Sequence, residues 1–144
     1  MTNKILMIDD DIDDQYLFGG LLSNLDDELV VEYRDNPQVL FDEYANVDKE
    51  PKFIPNLILL DLNLPKFKGT DIFLFIKENQ WLKEVPVLVL TTSSSPLDIQ
   101  DCKNLGLDGY FVKPMDFEDS QKIIENIYRY WFVYNELTIQ NGKS

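Results

Sequence analysis

Five short apolar runs, separated by longer stretches with helical spacing, constrain the fold of this chain more than any other feature. The runs occupy residues 5–8, 29–33, 57–60, 87–91 and 110–112. Runs that are apolar nearly throughout are typical of strands buried on both faces of a parallel sheet. Since helix-like segments lie between them, we predict an α/β fold with five parallel strands.

The stretches between the runs carry the signals that begin helices, because small polar residues cap a helix and Pro is favoured at its first position. Helices are predicted from near Ile12, after Asn36-Pro37, over 70–79, from Ser95-Pro96 and from Asp116. Right-handed crossovers then favour an open, doubly wound sheet with helices on both faces, for which 2-1-3-4-5 is a common strand order.

The first helix has a recognisable apolar face. Leu17, Leu21 and Leu25 recur at helical spacing and are expected to face the core. Gly19 and Gly20 interrupt this helix and weaken it by about 1 kcal/mol each relative to Ala.

Size and composition fit one folded domain. The chain has 144 residues, of which 44% are hydrophobic, and a formal net charge of −13. We predict a single domain over residues 1–136, a surface loop over the polar segment 45–56, and a flexible tail over 137–144. The negative charge argues against partners that present phosphates, such as nucleic acid or an anionic membrane surface.

Two residue types are so scarce that whole classes of chemistry are excluded. The chain contains one cysteine, Cys102, and no histidine. An intrachain disulfide, a cysteine-based zinc site and histidine-dependent catalysis are therefore excluded. No apolar run approaches the roughly 20 residues of a membrane helix, and we see no signal-peptide pattern, so we expect a cytoplasmic protein.

Charged and hydroxyl side chains follow the predicted strands where ligands bind in sheets of this type. Strand one ends in Asp9-Asp10, strand three in Asp61, strand four in Thr91 and strand five in Lys113. Ligands bind outside the carboxyl ends of the strands, near the point where the strand order switches. Carboxylate oxygens with excess negative charge suit a hard cation, so we predict a Mg²⁺ site here.

The acids after Asp10 have a structural interpretation. Asp11 is expected to cap the first helix, and Asp13 and Asp14 to be first-turn acids that the helix dipole favours. A calcium loop starting at Asp9 is rejected because it needs Gly at its sixth position and Glu at its twelfth. Asp14 and Gly20 stand there instead.

Four motifs, taken in order, resemble the receiver domain of two-component response regulators over roughly residues 4–134. They are the acidic pair after "ILMI", the "LILLDLNLP" strand with Gly69, the "VLVLTT" strand and the "YFVKP" strand. The resemblance implies a flavodoxin-like fold with order 2-1-3-4-5. It also implies a protein that accepts a phosphoryl group from a sensor histidine kinase and is not an enzyme in the ordinary sense.

The resemblance also implies a role for each matching residue. Asp61 would accept the phosphoryl group, while Thr91 and Lys113 would bind its oxygens. Asp9, Asp10, Asp61 and the backbone carbonyl of Asn63 would hold Mg²⁺. Thr91 and Tyr110 would form the conformational switch. Pro65 and Gly69 would shape the loop after Asp61, and Pro114 would occupy a position where the family often has a cis peptide.

Two details resemble stand-alone receivers that are paired with phytochrome-type kinases: the long 45–56 loop and the aromatic last helix. Thr92 is larger than the residue most receivers have there, so Asn63, Thr92 and Ser93 are expected to set the lifetime of the phosphorylated state. The last helix carries many aromatic residues, namely Tyr128, Tyr130, Trp131, Phe132 and Tyr134. We predict a homodimer, or docking of an effector, through helices four and five and strand five.

Two other functions remain open from the sequence. A receiver that is never phosphorylated would be an interaction module, although its expected site residues are all present. A phosphatase with an aspartate nucleophile would also place Asp61 after an apolar strand. Such enzymes use a second Asp, two residues further on, as the acid/base, and this chain has Asn63 there.

Overall fold

The sheet has the predicted strands and the predicted order. A computed structural model describes residues 2–134. In this part of the chain, five parallel strands, in the order β2-β1-β3-β4-β5, form one sheet. They are β1 Lys4–Ile8, β2 Val30–Arg34, β3 Leu57–Leu60, β4 Val87–Thr91 and β5 Gly109–Val112. The fold is therefore the doubly wound, flavodoxin-like α/β fold that the sequence predicts. The predicted tail, 137–144, lies outside the described residues.

Within the described residues 2–134, five helices connect or follow the strands, each close to its predicted start. They are α1 Ile12–Leu25, α2 Pro37–Tyr44, α3 Gly69–Glu78, α4 Pro96–Asn104 and α5 Phe117–Tyr128, and a π-helical segment Arg129–Tyr134 continues α5. Asp11, Asn36 and Asp116 cap α1, α2 and α5 through their side chains. Such caps contribute about 1 kcal/mol each.

The sheet separates two hydrophobic clusters. Leu6 and Ile8 point to the face covered by α2 and α3, while Ile5 and Met7 point to the face covered by α1 and α5. This alternation follows from the two-residue period of a strand. Strands β1, β3 and β4 are buried along almost their whole length, as expected for the centre of a parallel sheet.

The two outer strands depart from the prediction that every strand is buried on both faces. Residues of β2 and β5 are half-buried or exposed. They lie at the edges of the sheet, where helices on each face cover them only in part. An apolar run alone does not distinguish an edge strand from a central one.

The buried face of α1 is also different from the predicted one. Phe18, Leu21 and Leu22 form it, whereas Leu25 is exposed and Leu17 is only half-buried. Gly19 lies on the buried side of α1, and a Cβ there would collide with the hydroxyl of Tyr33. Glycine at this position weakens the helix but leaves room for the side chain of Tyr33.

The 45–56 loop is attached at both of its ends. The Tyr44 hydroxyl donates a 2.6 Å hydrogen bond to the carbonyl of Phe53, which is buried. Trp81 donates from its indole Nε1 to the carbonyl of Asn46 over 3.0 Å. Residues 45–50 are exposed, whereas Phe53 and Pro55 are buried, so only the first part of the predicted 45–56 surface loop lies on the surface.

The aromatic residues at the end of α5 and in the segment that follows it are largely covered. Phe132 is buried, and Tyr128 and Trp131 are half-buried. Tyr130 is 54% exposed, and the side chain of Tyr134 lies outside the described part of the chain. Most of this aromatic surface therefore covers the core cluster shared with α1.

Within residues 2–134, every helix is too short or too polar to cross a bilayer.

Candidate functional site

The carboxyl edge of the sheet gathers four of the predicted site residues. Asp9, Asp61 and Lys113 each follow the last residue of a strand, and Thr91 ends β4. All four are at most 8% exposed. The backbone ladder extends to them, since the N–H of Asp61 donates to Ile8 and that of Lys113 to Thr91. The side chains are therefore fixed by the sheet itself.

The Lys113 ammonium is the centre of this cluster. Its Nζ lies 2.8 Å from Asp9 Oδ2, 2.6 Å from Asp14 Oδ2 and 2.9 Å from Asp61 Oδ2. The Lys113 side chain is only 4% exposed. A buried charge of either sign is costly unless it is paired, so the lysine and the carboxylates stabilise one another.

Burial and pairing shift the pKa values of two members in a defined direction. Burial raises the pKa of Asp9, and its hydrogen bond to Lys113 opposes that shift. For Lys113, burial acts to lower the pKa, but the bonds to Asp14, Asp9 and Asp61 outweigh it and raise the pKa above its usual range. Lys113 is therefore a permanent cation at neutral pH.

The acidic members of the cluster are not quite those the sequence predicts. Asp14, interpreted from the sequence as a first-turn acid alone, has an oxygen within 4.8 Å of oxygens from Asp9 and Asp61. Asp10 is exposed, and the structure does not bring it into this group. Asp9 directly follows β1 and is buried, whereas Asp10 lies in the bend after it and faces the solvent. The ligand role of Asp10 stays a prediction.

The junction between β1 and α1 is held by hydrogen bonds from three neighbouring residues. Asp9 Oδ1 accepts from the N–H of Asp11 over 2.9 Å, and its carbonyl accepts from Gln15 Nε2 over 2.7 Å. Asp11 Oδ1 accepts from the N–H groups of Asp13 and Asp14, which confirms the predicted cap. The start of α1 is thereby fixed beside the site.

Asn63 connects the loop after β3 to the end of β4. Its N–H donates to Asp61 Oδ1 over 3.0 Å. Its side-chain Nδ2 lies 3.2 Å from Thr91 Oγ1 and 2.9 Å from Thr92 Oγ1. Asn63 and Thr92 are exposed, whereas Thr91 is buried, so these bonds lie at the opening above Asp61.

Ser93 links the site to Tyr110 and α4. The Tyr110 hydroxyl donates to the carbonyl of Ser93 over 2.8 Å, and Ser93 Oγ lies 2.6 Å from Asp98 Oδ2. Burial raises the pKa of the Tyr110 hydroxyl, so it remains protonated and able to donate. A movement of the Thr91–Ser93 segment would therefore act directly on Tyr110 and on the first turn of α4.

The loop after Asp61 depends on Gly69 for its path. A Cβ at Gly69 would lie 2.9 Å from the Cα of Leu62, closer than real side chains approach backbone. Lys66, next to Pro65, has a φ of 70°, in the left-handed region. The peptide bond between Lys113 and Pro114 is trans, whereas receiver domains often have a cis bond at this position. Trans is the commoner isomer before Pro.

The donor set fits a hard divalent cation. Asp9 and Asp61 offer carboxylate oxygens, which Mg²⁺ and Mn²⁺ prefer, and each oxygen retains acceptor capacity beyond its present hydrogen bond. The three carboxylates of Asp9, Asp14 and Asp61 carry more negative charge than the single ammonium of Lys113 can balance. A cation beside Asp9 and Asp61 would balance this excess.

A doubly wound parallel sheet with charged side chains at the carboxyl ends of its strands is typical of flavodoxin-like α/β proteins. Comparison of the sequence with models of protein families identifies the family within this class. Residues 5–125 match the model of the response regulator receiver domain. The chain therefore belongs to the response regulator receiver domain family.

Individual relatives support the same family. The response regulator Rcp1 of Synechocystis sp. is 35% identical over 131 residues, which cover 88% of this chain and 87% of Rcp1. A probable methanogenesis regulatory protein, FilR2 of Methanothrix harundinacea, is 39% identical over 82 residues. That match covers 57% of this chain and 53% of FilR2, about half of its length.

Two solved structures have the same architecture at 30% identity. The phosphorylated cyanobacterial phytochrome response regulator RcpA superimposes with a TM-score of 0.80, covering 93% of this chain and 96% of that chain. The Mn²⁺-bound form of response regulator Rcp1 has a TM-score of 0.79, with coverages of 91% and 95%. Receivers similar to this chain thus include one that carries a phosphoryl group and one that binds a divalent cation.

Proposed function

We propose that this chain is a phosphoryl-accepting response regulator that acts as a single domain in the cytoplasm, with Asp61 as the acceptor. The observation that carries the proposal is the 2.9 Å contact between Asp61 Oδ2 and the buried Lys113 ammonium. It gives a carboxylate at the carboxyl edge of the sheet a fixed cation beside it. Family membership and the phosphorylated relative RcpA support the same role.

The reaction needs a nucleophile and neutralisation of charge more than it needs a general base. A carboxylate oxygen of Asp61 forms a bond to phosphorus while the phosphorus–nitrogen bond of a phosphohistidine breaks. The electron pair of that bond goes to the imidazole nitrogen, which then takes up a proton. Because such transition states are loose, positioning and electrostatic stabilisation supply most of the catalysis.

Each neighbouring side chain has a part in this reaction. Lys113 pairs with a phosphoryl oxygen, and the Thr91 hydroxyl donates to another. Asp9, Asp10, Asp61 and the carbonyl of Asn63 would hold Mg²⁺. When bound, that ion would neutralise developing charge on the phosphoryl oxygens. Thr91 and Tyr110 carry the switch, and Asn63, Thr92 and Ser93 set the phosphoryl lifetime.

The partner that we propose is a sensor histidine kinase, and among these a phytochrome-type kinase. RcpA, a cyanobacterial phytochrome response regulator, is similar to this chain over nearly its whole length, which supports that choice. For output we propose a homodimer or a docked effector on the surface formed by α4, β5 and α5. Leu97, Val112 and Tyr130 are exposed on these elements or just beyond them.

The proposal is tested by measuring intact-protein mass after incubation with acetyl phosphate. Wild type should gain one phosphoryl group when Mg²⁺ is present and none when EDTA replaces it. Asp61→Asn should gain none. Asp71→Asn, which changes an exposed first-turn acid of α3, is the matched control and should behave as wild type.

The rival functions predict different results. A failure of wild type to gain mass under every condition would favour the interaction module that is never phosphorylated. Release of many phosphates per protein molecule, with no trapped adduct, would favour the phosphatase. A gain that persists in Asp61→Asn would show that another residue is the acceptor.

A further inference from the structure

The Lys113 ammonium has three N–H groups, and three carboxylates accept them. The bonds go to Asp9, Asp14 and Asp61 at 2.8, 2.6 and 2.9 Å. An ammonium has three donors and no acceptor, so this arrangement uses its full capacity. The shortest of the three bonds is the one to Asp14.

Asp14 differs from the other two carboxylates in its position and in its chemistry. Asp9 and Asp61 follow strands, and the proposed function uses the first as a cation ligand and the second as the nucleophile. Asp14 belongs to the first turn of α1, and its side chain is 25% exposed, against 3% for Asp9 and 7% for Asp61. It lies at the rim of the cluster.

Helix α1 presents Asp14 as a fixed group. The N–H of Asp14 donates to the cap residue Asp11 over 3.2 Å, and Gln15 joins the same turn to the carbonyl of Asp9. On the same helix, the Phe18 ring centroid lies 6.0 Å from Lys113 Nζ. The carboxylate therefore reaches Lys113 from a rigid element whose position is set by the end of β1.

Phosphoryl transfer alters both strand-borne carboxylates and leaves Asp14 unchanged. The Asp61 oxygen that joins phosphorus gives up its charge to the new group, and a cation at Asp9 would share the charge of that carboxylate. Resting on the function proposed above, we propose that Asp14 is a positioning residue for Lys113. It holds the ammonium in place while Asp9 and Asp61 exchange partners, so that the ammonium meets the phosphoryl group without reorganising.

The first test compares Asp14→Asn with Asp13→Asn. Both remove one negative charge from the first turn of α1, and Asp13 is exposed. At saturating Mg²⁺ and acetyl phosphate, Asp14→Asn should slow the phosphorylation of Asp61 by about tenfold or more, as misplaced catalytic groups do. Asp13→Asn should stay close to wild type. Equal rates for the two variants, or a faster rate for Asp14→Asn, would overturn the proposal.

A double-mutant cycle shows whether Asp14 acts through Lys113. In a Lys113→Gln background the ammonium is absent, so adding Asp14→Asn should change the residual rate very little. The same fold loss in both backgrounds would mean that Asp14 acts independently of Lys113, which contradicts a positioning role.

A third measurement needs no phosphoryl group. A buried and fully bonded ammonium exchanges its protons slowly, so Lys113 should give a ¹⁵N–¹H signal from Nζ in wild type and in Asp13→Asn. The signal should be lost in Asp14→Asn. Retention there, or its absence from wild type, would overturn the proposal. If wild type takes up no phosphoryl group, the proposed function fails, and this signal still decides the role of Asp14.

Discussion

The side-chain amide of Asn63 donates a 2.9 Å hydrogen bond to the hydroxyl of Thr92, and this bond joins the loop after β3 to the end of β4. Both residues are exposed, and the N–H of Asn63 also contacts Asp61. On the function proposed above, water that attacks a phosphoryl group on Asp61 would approach past this bond. The same amide contacts Thr91, the proposed switch residue, so one side chain joins the opening of the site to that residue.

Replacing Thr92 should shorten the life of the phosphorylated state. Thr92→Ala removes the hydroxyl that Asn63 binds and widens the opening. A hydrogen bond of this kind contributes about 1 kcal/mol, so loss of phosphoryl group should accelerate roughly fivefold. Thr92→Ser keeps the hydroxyl and should stay near wild type. The decay of the phosphorylated mass after removal of the donor measures both rates, and equal decay for Thr92→Ala and wild type would exclude a gating role.

Asp9 should lower stability at neutral pH when no divalent cation is present. Burial raises its pKa, so the folded state binds the proton more tightly than the unfolded state does. Its contribution to stability is present below the unfolded-state pKa and is lost as the pH rises through the raised folded-state pKa. In EDTA at pH 7, Asp9→Asn should therefore raise the Tm by a few degrees.

The difference in Tm between Asp9→Asn and wild type should shrink as the pH falls towards the raised pKa of Asp9. Thermal scans at a series of pH values test this, and a lower Tm for Asp9→Asn at pH 7 would show that pairing with Lys113 outweighs burial.

Two glycines should respond to Ala in opposite directions. At Gly69 a Cβ would meet the backbone of Leu62, and crowding of this kind costs about 1–3 kcal/mol. At Gly20, inside α1, nothing lies within 4 Å of the position that a Cβ would take, so Gly20→Ala should stabilise the protein by roughly 0.5–1 kcal/mol. Urea unfolding gives both free energies, and a neutral Gly69→Ala would mean that the β3–α3 loop adapts easily.

Much of the fold follows from local signals in the sequence. The central strands are unbroken apolar runs because helices cover both of their faces. The capping residues Asp11, Asn36 and Asp116 mark where three of the helices begin. Edge strands β2 and β5 carry similar runs, yet they are only partly buried. Position within the sheet, which only the folded chain reveals, decides that burial.

The site shows the same division between local and tertiary information. Asp9, Asp61 and Lys113 could be placed together because each follows a strand in a sheet of known handedness. Asp14 could not, since a first-turn acid is explained by the helix dipole alone. Its contact with Lys113 spans 99 residues of sequence and depends on where the fold places the start of α1 relative to the end of β5.

The exposed 45–50 segment lies at the opposite end of the sheet from Asp61, between the end of α2 and the start of β3. Its anchors, the bonds of Tyr44 to Phe53 and of Trp81 to Asn46, fasten the flanking chain to the body of the domain. A fluorophore or a short peptide tag attached at Asp48 would therefore be flanked by chain that is fixed to the domain, and it would lie far from Asp61. The protein offers, in this loop, a natural attachment point for a reporter of its own signalling.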